Sequence, residues 1–358
     1  MKTTQRIYFD HAATTPVLPE ARDAMARSLD LWANPSSPHA EGRAARKALE
    51  EARGTLAEVL GWRHDVIFTS GASEAIAIAA KRARVPGRAY AATEHDIVPS
   101  SMGEGATILP VGRNGLIDMM ALDAVLAEGP GLVAIQQVNN ETGVIQPMGA
   151  IAAKVRDAGS LLLADCAQSA GKLPLPDANF IAISAHKFGG PPGIGALLIK
   201  DLATLEASGG QEKGYRRGTQ NLPAAMGMAA ALETRAFEQA MPRLAELRRR
   251  LDDGVTASDG VVIAESSERI ANIGAIAMPG GQSSGLLIQF DLAGFAVSMG
   301  SACGSGAMKE SRVLKAMQVD TEIASSFLRI SFGPSTSEAD VDAFLAEWQR
   351  IASRQKAA

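Results

Sequence analysis

The sequence predicts an α/β protein in which a mostly parallel sheet lies between helices, followed by a smaller α+β unit. Short apolar, β-branched runs alternate with helical patterns over the first two thirds of the chain. Polar residues directly follow four of these runs, as they do where parallel strands end at one edge of a sheet. Beyond residue 255, strands and helices follow one another in a mixed order, which is typical of a small α+β domain.

The composition of the chain indicates which classes of molecule it does not bind. The chain has 358 residues and a net charge of -4, so it has no basic field that would draw it to nucleic acid or to a membrane surface. No apolar stretch follows Lys2 and Arg6, which excludes a secretory signal and favours a cytoplasmic location. Two cysteines, Cys166 and Cys303, form neither a disulfide framework nor a spaced zinc pattern, and no metal site is expected.

The first elements include a possible anion site. Residues 8–19 resemble a short arm, and residues 40–60 carry one apolar stripe at helical spacing. The run 66–70 reads as a strand, and the turn 71–74 leads into an alanine-rich helix. Exposed amides at such a helix start bind anions, although an ordinary strand-to-helix turn has the same pattern.

Further strands are predicted at 89–93, 133–138, 161–164 and 180–184, and a returning strand at 194–200. Polar groups follow each of the first four. His95 follows the first strand, and Asn139, Asn140 and Glu141 follow the second. Asp165 and Gln168 follow the third, and His186 and Lys187 follow the fourth. Parallel strand ends share an edge, so these groups are expected to face one crevice.

Two of these residues suit an aldehyde cofactor. A partly desolvated Lys187 could condense with pyridoxal phosphate, and the alternative is a solvated lysine after a strand. Asp165 needs a cationic partner at its depth, and a pyridinium nitrogen would be one. Its neighbour Cys166 is expected to pack in the core on the opposite face.

A boundary between two units is predicted at 252–258. Before it, residues 209–221 form a polar, glycine-rich loop, and a helix over 222–251 is expected to break near Pro242 and to end in a solvated face at 248–250. The prediction is a large domain over 15–254 and a small domain made of 1–14 and 255–358.

The small domain is expected to carry a reactive thiol. Strands are predicted at 261–264, 270–277 and 328–332, the last bearing Arg329, with a helix near 284–292 and a final helix capped by Ser335 and Glu338. Cys303 lies among glycines and serines in the segment 295–308, which suits an exposed nucleophile, and the alternative is a small buried residue.

Ten segments, in order, resemble one known family. They are YFDHAATTPV, NPSSPHAEG, FTSGASEA, TEHDIV, VNNETGVIQP, ADCAQSAGKLP, SAHKFGGPPGIGAL, GGQEKGYRRGTQN, GSACGSG and LRISFG. The chain resembles the cysteine desulfurases of the iron–sulfur assembly type, which are fold type I pyridoxal phosphate enzymes. The resemblance implies a seven-stranded sheet and the cofactor pyridoxal 5'-phosphate.

The resemblance also implies a role for each matching residue. Lys187 would form the Schiff base, His95 would stack on the cofactor ring, Asp165 would pair with the pyridinium nitrogen and Gln168 with the phenolic oxygen. The phosphate would be held by Ala72, Ser73, Ser184 and His186, with Thr219 reaching in from a second subunit. Asn140 and Arg329 would hold the carboxylate of L-cysteine beside the cofactor, and Cys303 would take the sulfur as a persulfide, leaving L-alanine.

A homodimer with shared sites and a sulfur-acceptor or scaffold protein are implied as well. Ser73 stands where threonine is common in the family and keeps the hydroxyl, while Met299 stands where serine is usual. A selenocysteine lyase or an aminotransferase of the same fold is the enzyme alternative. A cofactor-less sulfur-relay partner is the non-enzyme alternative, and the retained Lys187 and Asp165 argue against it.

Overall fold

A computed structural model describes residues 6–299 and 310–357. Within these residues the strands are β1 (Ile7–Tyr8), β2 (Asp65–Thr69), β3 (Gly87–Ala91), β4 (Thr107–Leu109), β5 (Gly131–Gln136), β6 (Leu161–Asp165), β7 (Phe180–Ser184), β8 (Gly195–Ile199), β9 (Val261–Val262), β10 (Ile273–Ala277), β11 (Phe295–Ala296) and β12 (Phe327–Ser331).

The helices of the described residues alternate with these strands through most of the chain. They are α1 (Pro19–Ser28), α2 (Ala40–Val59), α3 (Ala72–Arg82), α4 (Ile97–Met102), α5 (Met119–Ala127), α6 (Met148–Asp157), α7 (Leu222–Glu233), α8 (Ala236–Thr256), α9 (Ser283–Leu292), α10 (Arg312–Ala316), α11 (Thr321–Ser325) and α12 (Glu338–Ala357). None of those described is both long and apolar enough to cross a lipid bilayer.

Seven strands form the main sheet in the order β2-β8-β7-β6-β5-β3-β4. Only β8 runs antiparallel to its neighbours, so the predicted mostly parallel sheet is confirmed. The sequence patterns found six of these strands and missed β4. That strand has three residues, of which Thr107 and Ile108 are exposed, so it has no apolar run to reveal it.

Both faces of this sheet are buried. Along β7, Phe180 and Ala182 pack in one hydrophobic cluster, whereas Ile181 and Ile183 pack in the other. Successive side chains of a strand point to opposite faces, so a sheet covered on both sides requires apolar residues at every position. This explains the continuous β-branched runs of the sequence.

A second sheet has the antiparallel order β12-β10-β9, and β1 pairs in parallel with β11 beside it. Its core is aromatic: Phe9, Phe290, Phe344 and Trp348 are almost fully buried and lie in ring contact. The residues nearest the N-terminus therefore pack with those of the last third of the chain. The domain boundaries themselves stay a prediction.

Three local predictions are wrong. The helix over 222–251 breaks at Arg235, whose φ of 50° is left-handed, whereas Pro242 lies inside α8. Pro242 removes one backbone hydrogen bond but does not end the helix. The residues in capping-box spacing are Ser337 and Asp340, which exchange hydrogen bonds of 2.8 and 3.2 Å between backbone N–H and side chain.

The third, the solvated face at 248–250, is wrong only for Arg248, which is buried, whereas Arg249 and Arg250 are exposed as predicted. The Arg248 guanidinium lies 4.4 Å from the centre of the Phe332 ring and donates to the Ile330 carbonyl at 2.8 Å. Burial lowers the pKa of Arg248 to about 10. Gly274 leaves the space that this side chain fills, since a β-carbon there would come within 2.4 Å of Arg248 Nη1.

Candidate active site

A cavity of about 450 Å³ opens at the carboxyl ends of β5, β6 and β7. It is lined by ten residues that the sequence had indicated: Ala72, Ser73, His95, Asn140, Asp165, Gln168, Ser184, His186, Lys187 and Arg329. Parallel strands end at a common edge, which brings nine of these positions together, whereas Arg329 comes from β12 of the second sheet. The exceptions are Thr219, which is exposed and does not line the cavity, and Cys303, which lies outside the described residues.

Lys187 lies on a single 3₁₀ turn, Ala185–Lys187, directly after β7. Its ammonium donates to the carbonyls of Ala12 and Ala13 at 2.6 and 2.9 Å. Burial, together with the positive charge of Arg329, lowers the pKa of Lys187 to about 8. A substantial fraction of the amine is therefore neutral near physiological pH and able to act as a nucleophile or base.

Asp165 is the last residue of β6 and is 9% exposed. Its Oδ1 accepts a hydrogen bond of 2.9 Å from the backbone N–H of Ala167. Burial raises the pKa of this carboxyl, while the Ala167 bond and the charges of His95 and Lys187 act in the opposite direction. A carboxylate in this position gains stability from a cationic group brought into the cavity.

The carboxyl group of Glu94 lies next to Asp165 and was missed by the sequence reasoning. Glu94 Oε1 accepts from the Gln136 backbone N–H at 2.7 Å, and Oε2 has no partner among the described residues. Burial, strengthened by the charge of Asp165, raises the pKa of Glu94 well above its ordinary value. The signal that could have identified Glu94 is its position directly before His95 and after a predicted strand.

Gly71 and the first turn of α3 form a cradle. Gly71 precedes the helix with a φ of 157°, and the backbone fits closely against β8, since a β-carbon on Gly195 would lie 2.6 Å from Gly71 Cα. Ala72 and Ser73 are the first helical residues, so their N–H groups have no partner within the helix. Such a helix start attracts a phosphate.

Ser184 and His186 border the same cradle. The Ser184 hydroxyl would lie 3.6 Å from a β-carbon at Gly71. A ring nitrogen of His186 is 3.2 Å from Thr14 Oγ1, and burial, together with the charges of Lys187 and Lys172, lowers the pKa of His186 to about 4. His186 is therefore neutral at physiological pH and can interact with an anion only through a hydrogen bond.

Arg329 lies on β12 and is 4% exposed. Nη2 donates to Asp10 Oδ1 at 2.8 Å and Nη1 donates to the Asn140 carbonyl at 3.0 Å. Nε is buried without a partner among the described residues. Asp10, which the sequence reasoning passed over as part of an arm, therefore orients the guanidinium that faces the cavity.

Cys166, the other cysteine of the chain, is packed in the core, as expected from strand alternation. Cys166 is completely buried and its thiol lies 3.4 Å from Gln137 Oε1. Burial raises the pKa of the Cys166 thiol above its ordinary range. A thiol held neutral in this way is a poor nucleophile.

Comparisons with known proteins agree with this geometry. The family model for class-V aminotransferases matches residues 7–344. An IscS-like cysteine desulfurase of Mycobacterium tuberculosis is 38% identical in an alignment 369 positions long, which covers 94% of each chain. The chain belongs to the cysteine desulfurases of the class-V aminotransferase family.

Solved structures of related proteins have the same fold. A NifS-like protein from Rickettsia africae superposes with a TM-score of 0.88 at 28% identity and covers 98% of this chain and 100% of its own. The structure of SspA in complex with cysteine gives a TM-score of 0.79 at 27% identity, covering 92% of this chain and 100% of its own. Enzymes of this family use pyridoxal phosphate, so this desulfurase does as well.

The described cavity fits that cofactor. Gln168 donates to the Ala12 carbonyl at 2.9 Å, but its buried Oε1 has no partner among the described residues and is available to a ring hydroxyl. The carboxylate of Asp165 suits a protonated ring nitrogen, and the cradle at Gly71 suits a phosphate. These groups line one cavity together with the amine of Lys187.

Proposed function

We propose that this desulfurase converts L-cysteine to L-alanine and transfers the sulfur to Cys303. The observation that carries the proposal is the placement of Lys187, Asp165 and Arg329 around one cavity. These residues supply an amine of lowered pKa, a buried carboxylate and a guanidinium suited to the substrate's carboxylate. The match to desulfurases along almost the whole chain supports the choice of substrate.

Several residues would hold the cofactor. Ala72, Ser73, Ser184 and His186 border the cradle for the phosphate, Asp165 would hold a proton on the ring nitrogen, and Gln168 would bind the ring hydroxyl. His95 would stack on the ring, and Asn140 would border both the cofactor and the substrate. When bound, pyridoxal phosphate supplies an aldehyde for amines and a ring that accepts electron density from the substrate Cα.

The chain's own residues would perform the remaining steps. Arg329 orients the substrate carboxylate, and the Lys187 amine takes a proton from the substrate Cα and returns it during alanine formation. The thiolate of Cys303 attacks the substrate Sγ: an S–S bond forms, the Sγ–Cβ bond breaks, and its electron pair leaves with Cβ, which is then protonated. The products are alanine and a Cys303 persulfide.

The wider assembly is also part of the proposal. Thr219 is exposed in a single chain, so a homodimer in which it completes the partner's phosphate site accounts for its place outside the cavity. A sulfur-acceptor or scaffold protein would then remove the sulfur from Cys303. A cytoplasmic location is part of the proposal, and the net charge of -4 supports a protein that binds neither nucleic acid nor membranes.

The test is to mix the purified protein with L-cysteine and a reductant, and to measure alanine and sulfide while recording the cofactor absorbance. Equal amounts of both products are expected. Cys303→Ala should keep the cofactor band and the substrate-induced spectral change but release no sulfide. Cys166→Ala is the matched control and should retain activity. A spectral change without alanine would mean that the substrate is another amino acid.

A further inference from the structure

The segment 206–221, called here the clamp segment, carries a buried carboxylate. Its composition is polar and glycine-rich, yet the Glu212 side chain is 0% exposed. Glu212 accepts hydrogen bonds from both Nη atoms of Arg53 at 2.8 and 3.1 Å and from the Gln220 amide at 3.1 Å. A loop whose only task was to connect two elements would leave such a carboxylate in water.

Glu212 and Arg53 together complete the free edge of β2. Among the described residues this strand pairs only with β8, which leaves its other edge without a neighbouring strand. Glu212 Oε2 accepts from the Phe68 backbone N–H at 2.8 Å, and Arg53 Nη1 donates to the Val66 carbonyl at 2.7 Å. The ion pair therefore takes the place of a neighbouring strand at this edge.

The clamp segment also contacts the helix after the cradle. Arg216 Nε donates to Glu74 Oε1 at 2.9 Å, and Glu74 Oε2 accepts from the Ser70 backbone N–H at 2.5 Å. Residues 70–73 form the proposed phosphate turn between β2 and α3. The clamp segment thus fixes the chain immediately before this turn through Glu212 and immediately after it through Arg216.

The backbone of the clamp segment is strained where Glu212 enters the core. Glu212 and the next residue, Lys213, have φ values of 48° and 58°. Residues other than glycine rarely adopt this left-handed region, and it persists where surrounding contacts over-determine it. The bonds to the Glu212 carboxylate are such contacts.

We propose that Glu212 and Arg216 are positioning residues that fix the phosphate turn for cofactor binding. The inference rests on the proposed function, since it takes residues 70–73 as the phosphate site. Without the Glu212 charge, the guanidinium of Arg53 is left buried beside a neutral group and the bonds that hold β2 weaken. The amides of Ala72 and Ser73 then lose part of their preorganisation toward an anion.

The test compares two ligands that differ only in the phosphate. The full-length protein is stripped of cofactor and titrated with pyridoxal phosphate and with pyridoxal, and binding is followed by absorbance. Wild type should prefer the phosphorylated form. Glu212→Gln should weaken binding of pyridoxal phosphate by about tenfold, as expected for loss of a charge-assisted buried contact, and leave pyridoxal binding unchanged.

A matched control separates this effect from general loss of charge near Arg53. Glu50 bonds the same guanidinium at 3.0 Å but is half exposed, and among the described residues it forms no hydrogen bond with β2, so Glu50→Gln should leave both affinities unchanged. If Glu212→Gln does not fold, Arg216→Gln is the test variant, because the Arg216–Glu74 pair is more exposed. This variant should also lower the preference for pyridoxal phosphate over pyridoxal.

Either variant binding both ligands as wild type does would overturn the inference while leaving the proposed function intact. Equal weakening of both ligands would also overturn it, because the role would then be general stability. A wild type without preference for the phosphorylated form would instead refute the phosphate turn itself, and the inference with it.

Discussion

At the scale of single residues, the most informative side chain is Lys187, because burial and the charge of Arg329 lower its pKa to about 8. A lysine with its ordinary pKa of 10.5 would be almost fully charged at neutral pH. The lowered value means that the neutral amine is populated as pH rises through 8, not only near 10. Lys187 is therefore prepared for reaction before any substrate arrives.

This pKa predicts a pH profile for chemical labelling. In cofactor-free protein, the rate of reductive methylation at Lys187, followed by peptide mass spectrometry, should rise through a midpoint near pH 8 and level off above it. Asp165→Asn should move the midpoint downward, because the negative charge of Asp165 favours the ammonium. A midpoint near 10 in the wild type would contradict the prediction.

Arg329 allows a second prediction about a single residue. The guanidinium is held by Asp10 on one side and by the Asn140 carbonyl on the other, so its orientation is fixed before substrate binds. Arg329→Lys keeps the charge but loses the planar fork, and should lower kcat/KM for L-cysteine roughly 30-fold, about 2 kcal/mol.

Steady-state assays and the cofactor spectrum check this prediction together. The absorbance of the bound cofactor should be unchanged in Arg329→Lys, because the proposed function assigns Arg329 to the substrate carboxylate and not to the ring. Loss of the cofactor band together with activity would assign Arg329 to the cofactor site instead.

The sequence indicated which residues line the cavity but not all their neighbours. Short motifs at strand ends identified Lys187 and Asp165, since the ends of parallel strands share one edge and several of them carry polar groups. Asp10 and Glu94 lay within the same motifs and were passed over, because nothing local distinguishes a carboxylate that orients a guanidinium from one in solvent. Burial of such groups depends on distant parts of the chain, 319 residues away in the pair of Asp10 with Arg329.

At the scale of elements, the prediction of strands succeeded where both faces of the strand are buried. The strands β2, β5, β6 and β7 carry continuous apolar runs and were found. The end of α7 was missed because a left-handed Arg235, and not Pro242, determines it. A left-handed arginine has no signature in a single sequence.

The final helix, α12, allows a prediction of stability. Trp348 is completely buried, and its ring centre lies 6.2 Å from those of Phe290 and Phe344. Trp348→Ala should reduce the free energy of unfolding of this region by about 3–5 kcal/mol, measured by urea denaturation. Trp348→Phe is the matched control and should cost less, because it keeps an aromatic ring and Nε1 has no partner among the described residues. A loss below about 1 kcal/mol for the alanine variant would mean that the aromatic core repacks.

At the scale of the whole molecule, the cavity lies where separate parts of the chain meet. Lys187 comes from the main sheet, Arg329 from the second sheet, and Asp10 from the segment near the N-terminus. Neither sheet alone has both the reactive amine and the guanidinium. Sequence patterns predict each element from its neighbours in the chain, so they could place these groups on strand ends but could not give their separations.

Among the described residues assigned to the site, Thr219 is the one that does not line the cavity, and it leads to the last prediction. Thr219 is exposed and lies away from the cavity of its own chain. If Thr219 completes the phosphate site of a second subunit, a defect at Thr219 affects the partner's site, whereas a defect at Lys187 affects the site of its own chain. Thr219→Glu places a negative charge against the phosphate, and Lys187→Ala removes the reactive amine, so each homodimer should have little or no activity.

Subunit exchange between these two variants should restore activity. In a hybrid dimer, the site with the intact Lys187 receives the intact Thr219 from the Lys187→Ala subunit, and the other site carries both defects. Random exchange makes half of the dimers hybrids, each with one good site, so activity should recover to about one quarter of wild type. The assay measures alanine formation before and after exchange, with self-exchanged single variants as controls. A mixture no more active than the average of its components would mean that each chain builds its site alone, since two defects confined to one chain's own site cannot complement one another.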